Sequence, residues 1–127
     1  MTVFENADWW VVYKPASVSA QEDLTEGPSL LQESPGAHVL TRLDKRVSGL
    51  MVLAKTAEAA GKWKPELFRK KYRCVVPAPG PGEAGRLRHY LKKEGAKAKV
   101  FKEPFSGAKA AVLHYSCVQT SERYVML

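Results

Sequence analysis

The sequence predicts one α+β domain, built on a mixed, mainly antiparallel sheet with few short helices. Three observations lead to this prediction. A chain of 127 residues that is 45% hydrophobic is long enough to bury one core. Short apolar runs recur between turn residues, as strands do, and the stretch after Thr56 carries apolar residues at helical spacing.

Alternation and turn residues indicate where the strands lie. They are expected over Thr2 to Asn6, Trp9 to Lys14, His38 to Leu43, Gly49 to Lys55, Lys70 to Val76, Leu87 to Leu91, Lys97 to Phe101, Ala110 to Val118 and Arg123 to Leu127. In the later strands basic residues alternate with apolar ones. This alternation predicts a sheet with one wet, positive face.

Two short helices are expected between these strands. Ser29 can cap a helix over Leu30 to Glu33, and Thr56 can cap a second helix that begins at Ala57. The apolar face of the second helix continues to Phe68. Pro65 should interrupt it, because proline removes a backbone donor.

Positive charge is concentrated in the second half of the chain. Residues 1–61 hold 5 Lys and Arg against 8 Asp and Glu, whereas residues 62–127 hold 15 against 5, for a net charge of +7. The cations fall largely in Lys62 to Arg73 and in Arg86 to Lys102. A phosphate backbone is a natural partner for such residues, although each cluster also fits an ordinary solvated surface.

Several functional classes find no support in the residues. No apolar run approaches the roughly 18 residues of a membrane span, and the N-terminus resembles no secretory leader, so a cytoplasmic protein is expected. Cys74 and Cys117 are interpreted as buried free thiols, and the histidines stand apart, so no metal site is expected. A GxGxxG pattern over Gly80 to Gly85 lies among prolines, which predicts a loop and no nucleotide cofactor.

A charged corner joins the apolar runs HVLTRL and GLMVLAKT. Three cations lie within two residues of its one acid, Asp44, and they are Arg42, Lys45 and Arg46. A positive surround favours the ionised carboxylate, which could act as a nucleophile or as an oriented base. The same residues also fit an ordinary turn between two strands, and on these residues alone both interpretations stay open.

Four segments, in order, resemble the pseudouridine synthases of the RluA-like family. Thr41 to Leu50 is similar to the family signature His-Arg-Leu-Asp-x-x-Thr-Ser-Gly-Leu, with Asp44 at its aspartate. Val11 to Val18 is similar to the family's opening strand and its Val-x-x-Lys-Pro-x-Gly-Val turn. Lys70 to Val76 is similar to its Lys-x-Tyr strand, and Gly107 to Ala111 to its Lys-x-Ala segment.

The resemblance implies a pseudouridine synthase-like fold and the isomerisation of uridine to pseudouridine in tRNA or rRNA, without a cofactor. It implies that Asp44 is the catalytic residue, that Tyr72 lies against the uracil ring, and that Arg42 occupies the space left by the flipped base. Tyr72 also fits a core tyrosine on a strand. Leu43, Lys14 and Lys71 complete the expected substrate-binding set, the two lysines as phosphate contacts.

The chain departs from the family pattern at two positions and at its end. Thr41 stands for the family histidine, and Val47 for the family threonine. The segment that carries Gly-Arg-x-His-Gln-Ile-Arg in relatives does not follow. We therefore expect the N-terminal portion of one catalytic domain, with an incomplete active site. The alternative is a non-catalytic RNA-binding fragment or module.

Overall fold

The computed structural model describes residues 2–20, 29–32, 34–95 and 97–127. The strands among them are β1 (Thr2–Glu5), β2 (Trp9–Lys14), β3 (His38–Val39), β4 (Gly49–Ala54), β5 (Val75–Pro77), β6 (Ala84–Glu94), β7 (Lys97–Phe101), β8 (Lys109–Ser116), β9 (Gln119–Thr120) and β10 (Tyr124–Met126). Helix α1 (Ala57–Gly61) and a 3₁₀ helix (Pro65–Leu67) join them. No helix of the described ranges is both long and apolar enough to cross a membrane.

The strands form three antiparallel sheets instead of the one sheet that the sequence predicts. Their orders are β1-β2-β4-β3, β5-β10-β9 and β7-β6-β8. The predicted parallel component is limited, in the part of the chain that the structure describes, to an isolated bridge between Ser19 and Ser29. The chain divides into two compact units, Met1–Arg69 and Lys70–Leu127, and the first sheet belongs to the first unit.

The core of the first unit lies on one face of its sheet. Val12 of β2 is buried, and Met51 and Leu53 of β4 are fully buried, together with Ala20 and Leu30 from the loops. Every second residue of β4 from Met51 points inward, because side chains alternate along a strand. On the opposite face of β4, Val52 is half-buried and Ala54 is fully buried.

Helix α1 begins where the sequence predicts and ends earlier. The Thr56 hydroxyl accepts a hydrogen bond from the backbone N–H of Ala59 at 3.1 Å, as an N-cap does. The helix ends at Gly61, and Pro65 begins the separate 3₁₀ helix. The rings of Trp63 and Phe68 stack with their centroids 3.9 Å apart, so the predicted apolar face is retained without a continuous helix.

The second unit contains the other two sheets, and a loop over residues 78–83 joins β5 to β6. The glycine-rich run is therefore a loop between strands, as predicted. The Tyr115 hydroxyl donates to the Pro81 carbonyl at 2.7 Å. A Cβ on Gly85 would lie 2.6 Å from the same hydroxyl oxygen, so this close approach requires glycine.

Other predictions about local structure are wrong. Leu30 to Gln32 form turns, and the Ser29 hydroxyl, which was expected to cap a helix here, has no hydrogen-bond partner among the described residues; Glu33 lies outside those residues. The strand expected over Lys70 to Val76 begins only at Val75, where β10 provides a partner. Cys74 is exposed and Cys117 is half-exposed, so neither thiol is buried as expected.

Candidate active site

The corner around Asp44 is held by hydrogen bonds between two loops of the first unit. Strand β2 ends at Lys14 directly opposite Gly49, where β4 begins. The Ser17 N–H donates to the Lys45 carbonyl at 2.7 Å, and a tight turn closes from the Val47 N–H to the Asp44 carbonyl at 2.9 Å. The backbone from Asp44 to Val47 is therefore held by its own turn and by the loop that follows β2.

Lys14 lies inside this corner. Its side chain is 0% exposed. The ammonium group donates to the carbonyls of Val18 at 2.8 Å, Pro15 at 3.1 Å and Lys45 at 3.4 Å. Burial lowers the pKa of Lys14, while the negative charge of Asp44 acts in the opposite direction. A single buried cation thus joins the loop after β2 to the loop that carries Asp44.

Asp44 itself is exposed, and so are the three cations near it in sequence, Arg42, Lys45 and Arg46. Among the described residues, none of the ion pairs within 4.0 Å includes Asp44. The three cations that were predicted to surround the carboxylate form no ion pair with it in the part of the chain that the structure describes. The charge of Asp44 does act on Lys14, since it opposes the lowering of the Lys14 pKa by burial.

The burial of Lys14 changes the role proposed for it. The sequence placed Lys14 among the phosphate contacts, but its three ammonium donors already meet backbone carbonyls in a site closed to solvent. We propose that it positions the Asp44 loop instead. The signal that could have found this is the alternation in β2, which puts Lys14 on the same buried face as Val12.

Leu43 and Gly49 anchor the two ends of the corner. Leu43 is partly buried and packs against the core of the first unit. A Cβ on Gly49 would lie 3.3 Å from Leu43 Cδ1, and Gly49 has a φ of 151°, which favours glycine. Leu43 was expected to contact substrate, and its visible contacts are with the core.

Thr41, one of the two departures from the family signature, has a local role, and Ser17 in the preceding loop has an unusual backbone conformation. The Thr41 hydroxyl accepts from the Val52 N–H at 2.9 Å, so this side chain satisfies a backbone donor of β4. Ser17 stands where the family turn carries glycine, and its φ of 73° is a conformation in which glycine is favoured. Serine therefore adopts the backbone turn that glycine would adopt more easily.

Two further predicted substrate contacts, Lys71 and Tyr72, belong to the second unit. Both are exposed, and 59% of Tyr72 is accessible to solvent. They lie in the segment before β5, outside any strand. The alternative interpretation of Tyr72 as a buried core residue on a strand is therefore wrong. Within the ranges that the structure describes, no group of three or more His, Cys, Asp or Glu residues could hold a metal ion.

Comparisons with known proteins agree with the resemblance seen in the residues. The family model described as RNA pseudouridylate synthase matches residues 8–127. Ribosomal large subunit pseudouridine synthase D from Blochmanniella floridana is 32% identical over 96 residues, which cover 72% of this chain and 30% of that protein. The structure of human RNA Pseudouridylate Synthase Domain Containing 4 is similar with a TM-score of 0.70 and 21% identity, over 98% of this chain and 56% of that chain.

The matched family and the structural neighbour therefore indicate the same fold. The chain spans only 30% of the bacterial relative and 56% of the human one. The family match covers the Asp44 corner, the Tyr72 segment and all three sheets except β1. The chain belongs to the RNA pseudouridylate synthase family.

Proposed function

We propose that this protein converts uridine to pseudouridine in RNA, with Asp44 as the catalytic residue. The observation that carries the proposal is the corner around Asp44. It presents an exposed carboxylate on a turn whose backbone is bonded to a second loop and to the buried Lys14. A carboxylate that is open to solvent on such a turn can reach a nucleotide that has left its stack.

The proposed reaction rearranges one substrate and needs no second reactant. The bond between the ribose and the base nitrogen breaks, the uracil rotates while bound, and a bond forms to ring carbon 5, which then loses its proton. Asp44 acts on the sugar or the ring as a nucleophile, or it removes a ribose proton. The target base must first be extruded from the stack, at a cost of a few kcal/mol.

The other predicted residues take supporting roles in this proposal. Arg42 is exposed beside Asp44, where it can fill the space of the flipped base and contact the backbone. Tyr72 would lie against the uracil ring and Lys71 would meet a phosphate; both roles rest on the resemblance, and the exposure of both side chains supports them.

Ribosomal RNA is the first substrate to test. The name of the bacterial relative refers to the large ribosomal subunit. The test is tritium release from ribosomal and transfer RNA labelled at uracil carbon 5. We expect release by the wild-type chain and at least a roughly 10³-fold loss in Asp44→Asn, because no other group replaces the carboxylate.

A matched control is Glu58→Gln, which neutralises an acid on α1 whose side chain is 85% exposed. It should release tritium at the wild-type rate. Release that survives Asp44→Asn would remove Asp44 from the mechanism, and no release by the wild type from either RNA would refute the activity of this chain.

A second candidate function is RNA binding without turnover. The observation that favours it is the charge of residues 62–127, which hold 15 Lys and Arg against 5 Asp and Glu and would attract a phosphate backbone without any chemistry. Binding of RNA without release by the wild-type chain would support this candidate and contradict the first.

A further inference from the structure

Cations and aromatic rings of the second unit lie together on one side of the sheet β7-β6-β8. Neighbouring residues of a strand point to opposite sides, and the register aligns Lys92 with Lys99 and Tyr90 with Phe101. The remaining cations follow at alternate positions of β6 and β7. We call this side the basic face, and its members are Arg86, Arg88, Tyr90, Lys92, Lys97, Lys99, Phe101 and the loop residue Phe105.

Cations and rings on the basic face contact one another. Lys99 Nζ lies 5.6 Å from the centroid of the Phe101 ring, and Lys92 Nζ lies 5.6 Å from that of Phe105. The rings of Phe101 and Phe105 meet edge to face with centroids 4.5 Å apart. Phe105 thereby belongs to the same side of the sheet as the two lysines.

The positive charge of the basic face works against the fold. Lys92 and Lys99 stand directly opposite each other on paired strands, and like charges in that position are destabilising. Glu94 is the one acid at a basic-face position of β6. Among the described residues, no carboxylate lies within 4.0 Å of a basic-face cation. An anion bound between the two lysines would relieve their repulsion.

The opposite side of the same sheet has another character. Its side chains include Leu87, which pairs with Leu113 of β8, and Leu91, which pairs with Val100 of β7. Two lysines, Lys93 and Lys109, also lie on this side, each paired with an apolar residue of the neighbouring strand. Cations therefore occur on both sides of this sheet, and Tyr115 also lies on the opposite side, but the contacts between cations and rings in the described part of this sheet lie on the basic face.

We propose that the basic face binds a single-stranded segment of RNA, with phosphates at Lys92, Lys99 and Arg88 and a base stacked on Tyr90 or Phe101. This inference rests on RNA being the partner in the proposed function, but it concerns a surface of the second unit that does not contain Asp44. It adds a second point of contact with the substrate RNA.

The cations and the aromatic rings together indicate which partner the basic face binds. Lysine and arginine attract any polyanion, including duplex RNA and acidic peptides. Half-buried rings such as Tyr90 and Phe101 add stacking on their accessible parts only for bases that are unpaired, since the bases of a duplex are stacked on each other. A surface that interleaves the two therefore fits a single strand best.

The test measures binding of a fluorescein-labelled oligouridine of roughly a dozen nucleotides by anisotropy. We expect a 10-fold to 100-fold weaker affinity for the double variant Lys92→Gln/Lys99→Gln. The slope of log affinity against log salt should fall by about 1.4, because each neutralised phosphate on a single strand contributes about 0.7. The matched control is Lys93→Gln/Lys109→Gln, which removes the same charge from the opposite side and should bind within about twofold of wild type.

A ring variant separates stacking from charge. Tyr90→Leu should weaken binding roughly tenfold and leave the salt slope unchanged, since it removes a stacking surface and no cation. The melting temperature of Lys92→Gln/Lys99→Gln should equal or exceed that of wild type, because the like-charge pair is gone. Weak binding by this variant would then reflect the lost cations in a folded chain.

Three results would overturn the inference. They are equal losses in the two lysine pairs, binding of duplex RNA as tight as that of the single strand, and displacement of the oligouridine by an acidic peptide of equal charge. The last result would favour a protein partner. Binding is measured without turnover, so failure of the proposed catalytic function leaves this test unaffected, and Asp44→Asn should bind the oligouridine like wild type.

Discussion

Replacement of Lys14 by methionine tests how the Asp44 corner is held. The substitution keeps most of the side-chain volume and removes the ammonium group. The Lys45 carbonyl still accepts from the Ser17 N–H, and the carbonyl of exposed Pro15 can reach water. The Val18 carbonyl loses its 2.8 Å donor, and a buried polar group without a partner costs about 1–3 kcal/mol.

An opposing contribution reduces the loss. Burial of an ammonium group costs free energy, as the lowered pKa of Lys14 indicates, and methionine avoids that cost. We therefore expect Lys14→Met to lower the free energy of unfolding by about 1 kcal/mol, at the lower end of that range. Lys45→Met is the matched control, because Lys45 is exposed and its side chain makes none of these bonds; it should change stability by less than about 0.5 kcal/mol.

Urea unfolding followed by tryptophan fluorescence is the assay. Trp9, Trp10 and Trp63 are the three tryptophans of the sequence, and all belong to the unit Met1–Arg69. The signal therefore reports on the unit that contains the corner, even if the two units unfold separately. A Lys14→Met chain as stable as wild type, or more stable, would refute the role given to the three carbonyl bonds.

A double-mutant cycle with Asp44→Asn extends the same test. The charge of Asp44 favours the charged form of Lys14, so the two substitutions should not be additive. We expect a coupling free energy of about 0.5–1 kcal/mol. Additive effects would show that the charges of Lys14 and Asp44 do not interact in the folded chain.

Three further predictions concern backbone and charge in the first unit. Ser17→Gly should raise the free energy of unfolding by about 0.5–1 kcal/mol, because serine at a φ of 73° is strained; an unchanged urea midpoint would contradict this. Gly49→Ala should lower it by about 1–3 kcal/mol, since the φ is 151° and a Cβ would crowd Leu43, whereas Gly61→Ala, with open space, should not. Lys55 bonds the Glu5 carboxyl and lowers its pKa from the ordinary 4.5, so Glu5 stabilises the fold above that pH. Wild type should therefore lose stability relative to Glu5→Gln as the pH falls through the lowered pKa, and parallel pH curves would refute it.

Local signals in the sequence predicted the elements that depend on a few neighbouring residues. Thr56 caps α1 as expected, and β4 begins at Gly49, the residue predicted. Long-range pairing could not be predicted in the same way. The segment from Lys70 becomes a strand only at Val75, because β10 begins to pair there, and that partner lies about 50 residues later in the chain.

In the candidate site, too, local sequence signals predicted some features and not the contacts between distant segments. Asp44 and its flanking cations could be identified as a corner between two strands, and the family signature gave the acid its role. The alternation in β2 indicates the face on which Lys14 lies, but its full burial could not be predicted, because a lysine is almost never fully buried unless it is paired. Only the structure shows the carbonyls of Pro15, Val18 and Lys45 that make its burial tolerable.

The most direct test of the central claim measures chemistry and binding on the same samples. Labelled ribosomal RNA is mixed with excess protein, and tritium release in a single turnover is compared with RNA binding for wild type and Asp44→Asn. We predict that Asp44→Asn binds RNA within about twofold of wild type and releases no tritium above background. Release by Asp44→Asn at a rate near that of wild type would contradict the account.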